Sequence, residues 1–452
     1  MDNLTLRYFD AEMRYLREAG KEFAEAFPDR AAHLNLDKPG THDPYVERLF
    51  EGFAFLMGRL REKLDDDLPE LTEGLVSLLW PHYLRTIPSL SVVELTPSLE
   101  QMKNSELIAQ GFEVLSQPVG SQRTRCRYTT TQDLTLQPLA LESLRLAYEP
   151  DGRSVLRLRF TCSALADWSL VDLSRLPLYL NADAALASQL HQALTLQAQA
   201  LYVRLPGEDQ VRQALEGHFV PKGFADEDRL WPKGDSAFSG YQLLLEYFTF
   251  REKFMFVTLC GLENLELAPG TPWFELDVVL RQAWPGNFDL NAGHIRLNAV
   301  PVINLFPLEA DPLTLAPLQT DYLLRPMRLQ DGHTEIYSVD RVTGSKTAER
   351  SDYVPFTSFR HKGGMLRDEA PERYFHTRLK RGANGLHDTW LILGGEGFDQ
   401  DRLGQAQSLS LRLTGTHGQL PRKALQSTLI NALPESSQVQ LRVRNLCAPS
   451  LP

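Results

Sequence analysis

Three consecutive acids, Asp65-Asp66-Asp67, with Glu62, Glu70 and Glu73 around them, supply the oxygen chemistry of a hard-cation site. A cation needs ligands that converge, whereas consecutive acids point in different directions, so the run reads as a solvated helix junction or a docking surface for a basic partner. Gly394-Gly395-Glu396-Gly397 is similar to a fragment of a phosphate loop, but it lacks the Lys-Ser/Thr that follows in a P-loop. A β-turn is expected there. Arg373-Tyr374-Phe375-His376, followed by Arg378, Lys380 and Arg381, interleaves cations with aromatics as single-strand binders do. One short patch neutralises few phosphates, so an exposed strand or a protein contact is the better reading.

Nucleophiles and metal ligands give less. Cys126, Cys162, Cys260 and Cys447 are far apart without CxxC spacing and read as ordinary thiols in a reducing compartment. The eleven histidines are scattered singly, and His42, His82 and His417, beside glycine, proline or neighbouring turn residues, read as surface or capping residues. No Gly-x-Ser-x-Gly elbow, HExxH pair or kinase set is present. The sequence therefore nominates no catalytic, cofactor-binding or metal-binding residue and no cofactor.

The elements that carry these residues change character near residue 88. Leu6, Phe9, Met13, Leu16, Gly20, Phe23 and Phe27 recur at steps of three and four, one seam of a helix that Pro28 ends. Asp43-Pro44 starts a second helix, whose Val46, Leu49, Phe53, Leu56 and Leu60 trace another seam flanked by Phe50, Met57 and Leu64. A third helix is expected from about Pro69 to Trp80, with Pro81 as its stop. So wide an aromatic face exceeds what a three-helix unit needs, and part of it is expected to meet another chain. The candidate interface residues are Phe9, Met13, Leu16, Phe23, Phe27, Phe50, Phe53, Leu56 and Met57. Replacing Phe53 and Leu56 by Asp is expected to abolish folding or assembly.

Beyond Pro88 short alternating segments predict strands: 91–95, 127–131, 144–148, 155–160, 254–259, 273–280, 295–299 and 409–413. Helical insertions are expected at 184–203 and around 240–248. Five prolines between Pro301 and Pro326 would interrupt central strands and suggest a soft border. The expected fold is α+β: a helical region over 1–88, a β-rich domain with helical insertions over 89–310, and a second β-rich domain over 311–452, as sandwich-like or mixed antiparallel sheets.

A 452-residue chain that is 43% hydrophobic can bury several cores. Its net charge of −11 argues against nucleic-acid binding. The opening Met1-Asp2-Asn3-Leu4 has no basic start followed by an apolar core, so no signal peptide is expected. The longest apolar run, 299–308, is too short and too proline-rich to span a membrane.

One segment is highly specific. Asp43-Pro44-Tyr45-Val46-Glu47-Arg48-Leu49-Phe50-Glu51-Gly52-Phe53-Ala54-Phe55-Leu56 resembles the N-terminal signature of the TssF family, also called ImpG or VasA, baseplate subunits of the bacterial type VI secretion system. The resemblance continues through Tyr8-Phe9, Glu22-Phe23-Ala24, Pro81-His82-Tyr83-Leu84 and Pro88-Ser89. Later come 240–248 with 253–257, Pro301-Val302-Ile303-Asn304-Leu305-Phe306, Ile336-Tyr337-Ser338-Val339, and Gly415 to Pro421. Thr416-His417-Gly418 departs from the Asn-Arg pair usual in the family. Members usually continue past the Pro-rich ending, so a further C-terminal portion is expected.

The resemblance implies a structural wedge protein without enzymatic activity. Two copies would join one TssG, with a homodimeric contact inside the wedge and TssE and TssK attached, around the VgrG hub and beneath the contractile sheath. It would be cytoplasmic, at a baseplate docked to the inner-membrane complex, with no membrane insertion of its own. A phage-tail baseplate wedge protein is the alternative of the same class. A β-sandwich hydrolase or carbohydrate-binding protein is the alternative of another class, recognisable by a deep pocket of paired carboxylates.

Overall fold

The computed structural model describes residues 3–33, 44–79, 85–207, 212–231, 239–316, 319, 321–327, 333–346, 349–356, 373–382, 387–394, 408–423, 429–435, 437 and 441–450. The chain divides into two compact units, Met1–Leu84 and Arg85–Pro452.

The first unit is helical. α1 spans Asn3–Ala26, α2 spans Pro28–His33 and α3 spans Pro44–Leu79. Pro28 and Pro44 each occupy a first helical position, where the missing N–H leaves no bond unmade. α1 and α3 run antiparallel, because Thr5 meets Glu62 while Arg17, two turns or more further on, meets Glu47. Between these pairs Gly58 lets the backbones approach: a Cβ there would stand 3.1 Å from the Phe9 nitrogen. Gly58→Val should loosen this pair by about 1–3 kcal/mol, read as a lower midpoint of helical melting in the full chain.

The expected break at Pro69 is absent, since α3 is one helix of 36 residues. Leu64, Leu68, Leu71, Leu75 and Leu78 keep steps of four and three across the proline, so the apolar stripe stays in phase on both sides. An internal proline costs roughly 3 kcal/mol. A stripe that remains continuous gives the helix a reason to bear that cost.

Among its described residues the second unit holds four larger sheets. The first is a six-stranded sheet in the order β24 (Ile430–Ala432), β3 (Glu113–Val119), β4 (Thr124–Thr130), β15 (Ala299–Ile303), β1 (Leu90–Pro97) and β25 (Leu441–Asn445). Its two ends meet, Ile430 N donating to Asn445 Oδ1 at 3.3 Å, so the sheet curls towards a closed barrel. Val93, Leu95, Tyr128, Val300 and Val302 are fully buried in its core. A small ladder of β2 (Glu106–Ile108) and β5 (Leu134–Leu136) adds Ile108, Leu134 and Leu136 to that core.

Next is a sandwich. Its five-stranded sheet runs β10 (Gln213–Leu215), β9 (Ala198–Arg204), β13 (Trp273–Leu280), β7 (Ser154–Cys162) and β6 (Leu139–Tyr148). Its four-stranded sheet runs β11 (His218–Pro221), β12 (Phe256–Cys260), β8 (Arg175–Leu180) and β14 (Ile295–Arg296). The shared core includes stacked Phe160 and Phe274, with ring centroids 4.9 Å apart. On the outer face the buried Asp277 carboxylate is held by Arg157 at 2.7 and 3.1 Å and by Arg204 at 2.9 Å. The Asp277 carboxylate in turn holds the Arg157 guanidinium charged, its value raised above the ordinary one first by the hydrogen bond that Arg157 donates to Asp277.

The last sheet runs β16 (Phe306–Glu309), β23 (Ser408–Thr416), β19 (Glu335–Lys346), β20 (Glu349–Pro355), β21 (Tyr374–Arg381), β22 (His387–Gly394) and β18 (Asp321–Leu323), with β17 (Leu313–Thr314) also on β23. Its described ladders are antiparallel except β20 on β21. Pro307 sits on the edge strand β16, where a missing donor is tolerated.

Three local expectations are corrected. The 184–203 helix is α4 (Ala184–Gln192), one π-turn, and then β9: pairing with β13 overrides the helical propensity of that Ala- and Gln-rich stretch. The single strand at 295–299 is two, β14 and β15, separated by Asn298 at φ +53°, a left-handed position that Asn tolerates. Pro301, expected to interrupt a central strand, lies inside one. Both main-chain groups of its partner Val92 face away from it, the carbonyl to Leu446 N and the amide to Cys447 Sγ. On its other side β4 pairs only with Val302 and Ile303, so the proline nitrogen falls past the end of that ladder. Its carbonyl still accepts from Thr131 N at 3.0 Å.

Candidate functional site

The helical unit separates the interface candidates into two groups. Met13 is buried, Phe9, Leu16, Phe50 and Met57 are half-buried, and buried Ala54 belongs to the same inward region of α1 and α3. Phe23 and Phe27 are exposed with their rings 5.3 Å apart, and Phe53 and Leu56 are 53% and 66% exposed. The outward pair belongs to a longer stripe. Leu49, Phe53, Leu56, Leu60 and Leu64 are all half or more exposed at steps of four, three, four and four.

Polar residues fix which face turns out. Arg61 reaches the mostly buried Glu12 at 2.8 Å, Arg17 reaches Glu47 at 2.6 Å, and the Thr5 hydroxyl donates to Glu62 at 3.1 Å. Each ties α1 to α3 across a shared edge and leaves the Leu49-to-Leu64 stripe uncovered within the described unit. Exposed pairs of this kind contribute about 0–1 kcal/mol each, so they set orientation more than stability.

The groups nominated for chemistry sit elsewhere. Burial pushes the Cys162 thiol up to about 12 and the Cys447 thiol up to about 11, and raises Cys260 above its ordinary value, the reverse of an activated nucleophile. The Asp65 to Asp67 run lies in α3, with its side chains outside the described residues, as are Gly395 to Gly397, His42 and His82. The basic strand is β21, where His376, Arg378 and Lys380 are exposed and Lys380 lies 4.5 Å from the Trp390 ring.

His417 is not a surface residue. It is buried, its ring 4.5 Å from that of Phe306, and its amide donates to Asn304 Oδ1 at 2.8 Å while Asn304 Nδ2 lies 3.0 Å from its Nδ1. A buried Asn that offers both its donor and its acceptor explains a polar ring at that depth. A cleft of about 1050 Å³ lies nearby, walled by Trp231, Leu305, Leu308, Asp226 and Asp340 among others. Two of its acids are engaged: Asp226 pairs with Arg229, and Asp340 accepts from the Ser338 and Thr414 hydroxyls at 2.7 Å each.

A second apolar face escaped the reading of the sequence. On α5 (Ser239–Thr249), Tyr241, Leu244, Tyr247 and Phe248 are exposed, and the exposed Phe224 ring packs on Phe254. Their spacing of three, three and one was available, but Leu243 and Leu245 between them hid which side faces in.

The family model for "Type VI secretion system, TssF" matches residues 1–452. The type VI secretion system component TssF1 of Pseudomonas aeruginosa (strain PAO1) is 32% identical over 398 residues, covering 84% of this chain. The chain spans 63% of the length of that curated relative. A chain in a cryo-electron microscopy structure of the type VI secretion system TssK-TssF-TssG baseplate subcomplex is similar at TM-score 0.81 and 62% identity, over 90% of this chain and 74% of that one. A chain in the baseplate complex from the type VI secretion system is similar at TM-score 0.65 and 60% identity, over 99% of this chain and 77% of that one. A match from end to end, with α3 carrying the signature that first suggested it, places the chain in a family: it belongs to the TssF family of the type VI secretion system.

Proposed function

We propose that this chain is a structural subunit of a type VI baseplate, which acts by holding other chains in place and makes or breaks no covalent bond. The observation that carries this reading is the exposed stripe from Leu49 to Leu64 on α3. Five large apolar side chains along one helix face favour a helical partner, because steps of three and four match the grooves of another helix. Burying one such side chain contributes about 1.5–3 kcal/mol, enough in sum to hold a permanent interface.

The partner helices come from a TssG-type protein and from a second copy of this chain, two copies to one TssG, with TssK and TssE attached. One solved relative supports the TssG and TssK parts, since it comes from a TssK-TssF-TssG baseplate subcomplex. The wedges so formed surround a VgrG hub, receive the sheath, and lie on the cytoplasmic side of the inner-membrane complex. No helix among the described residues is long and apolar enough to cross a membrane.

Co-production with and without the TssG-type protein of the same bacterium tests the reading. The expected result is a stable complex, and aggregation or self-association of the chain made alone. A monomeric, fully soluble chain whose stability the partner leaves unchanged would overturn it.

A further inference from the structure

The outer face of the five-stranded sheet carries a lattice of charges that is one acid short. Leu144, Leu158, Leu276 and Leu201 face the core, so alternation turns their neighbours outward. Along β6, β7, β13 and β9 the outward cations are Arg145, Arg157, Arg159 and Arg204, and the acids are Glu142, at the bulge of β6, Glu275 and Asp277. Three of the arginines are pinned. Arg157 donates to Asp277 at 2.7 and 3.1 Å, Arg204 donates to the same carboxylate at 2.9 Å, and Arg159 donates to Glu142 and Glu275 at 3.1 Å each. Arg212 and Glu149, which flank the face, pair with each other.

Arg145 is exposed and has no acid partner among the described residues. It lies directly across the ladder from Arg157. Residues so placed stand about 4.5–5.5 Å apart at Cβ, where like charges disfavour each other. The acid of that row, Asp277, lies on the far side of Arg157, wholly buried and with both oxygens already engaged. Arg157 Nη1 makes no bond among the described residues, so a carboxylate set over the two residues would meet an unused donor on each.

The size of the deficit selects the occupant. One Asp or Glu side chain fills a shortage of one negative charge, whereas a nucleic-acid strand would also set its phosphates against Glu142 and Glu275. The arginine excess is local, since the chain as a whole carries −11. Arg157 is held in place by a buried acid, and the Arg159 guanidinium lies 4.0 Å from the centre of the Trp273 ring. Side chains already ordered in this way lose little further freedom on binding, and Arg and Trp are the residue types that dominate protein interfaces.

We propose that the outer face of the five-stranded sheet docks an acidic segment of a partner protein, which sets one Asp or Glu carboxylate over Arg145 and Arg157. Asp277 serves this site by fixing the Arg157 guanidinium. The site stands apart from the α3 stripe and does not depend on it.

The test uses the full chain co-produced with its TssG- and TssK-type proteins. The map of the assembled complex should show an Asp or Glu of a partner in salt-bridge contact with Arg145. Arg145→Glu sets an acid opposite Arg157, so the free chain should melt no lower than wild type, while retention of that partner weakens by about tenfold or more. Arg145→Gln should remove part of the salt dependence of the same retention. Solvent alone over Arg145 in the assembly, or wild-type retention by Arg145→Glu, would overturn the proposal. A lower melting midpoint of free Arg145→Glu would assign Arg145 to the fold instead, and binding of a single-stranded DNA oligonucleotide that Arg145→Gln abolishes would make the face a polyanion site. Because α3 is untouched, each of these failures leaves the helical docking of the first unit standing.

Discussion

Phe53→Asp with Leu56→Asp should leave the free chain folded and abolish its assembly. Both side chains are more than half exposed, so in the free protein the new carboxylates meet water and the cost to stability is small. In a helical interface the same carboxylates would be buried without counter-charges, at a few kcal/mol each. A combined loss of about 4–6 kcal/mol lowers affinity by roughly 10³ to 10⁴-fold. Circular dichroism of the free variant and size-exclusion of the co-produced mixture read the two halves separately. A double variant that co-elutes with its partners like wild type would remove this stripe from any interface. Met13→Asp supplies the contrast: Met13 is buried between helices of its own unit, so it should fail at folding before assembly is reached.

Lys253→Met should produce the largest loss of stability among single substitutions in the second unit. It leaves its buried partner, the Glu246 carboxylate, with only the Gln242 amide and the Leu230 N–H as donors among the described residues. Breaking one side of a buried pair costs about 3–5 kcal/mol, a large part of a total that is typically about 5–15 kcal/mol. The melting midpoint should fall by at least about 5 °C. Glu246→Met combined with Lys253→Met should recover most of that loss, since two apolar side chains leave no stranded charge. A double variant no better than the single one would show that the two groups do not act as a pair.

Local periodicity made much of the fold legible. The segment 273–280 is β13 residue for residue, and the 155–160 and 409–413 segments fall inside β7 and β23. Their alternation reflects one buried and one solvated or salt-bridged face, a signal carried by neighbouring residues alone. What stayed hidden depended on distant partners. Pro301 fits a central strand only because Val92 turns its groups towards 446 and 447, some 145 residues further along the chain. β9 reads as helix until β13 is beside it.

The candidate surface was legible to a similar depth. The three-four spacing located the apolar stripes of α1 and α3, yet spacing alone could not say which stripe the two helices would use on each other. Gly58 decides that: backbones approach where a side chain is missing, which turns Phe9 inward and leaves Leu49 to Leu64 outside. The α5 face was hidden for a simpler reason. Its helix is apolar nearly all round, and only the buried Gln242 and Glu246 mark the inner side.

The barrel of the second unit imposes a schedule on synthesis. β1 finds one neighbour in β15 and the other in β25, so Val93 waits for Val300 and then for Asn445. At about 5–20 residues per second, the roughly 350 intervening residues take about 20–70 s to emerge from a ribosome. Until β15 emerges a greasy strand hangs without a mate, and until β25 emerges it has only one, while the helices ahead of it are free to find their own company. The nascent chain is thus ready to recruit partners from its head long before its body can close, and a chaperone has most to do in the gap.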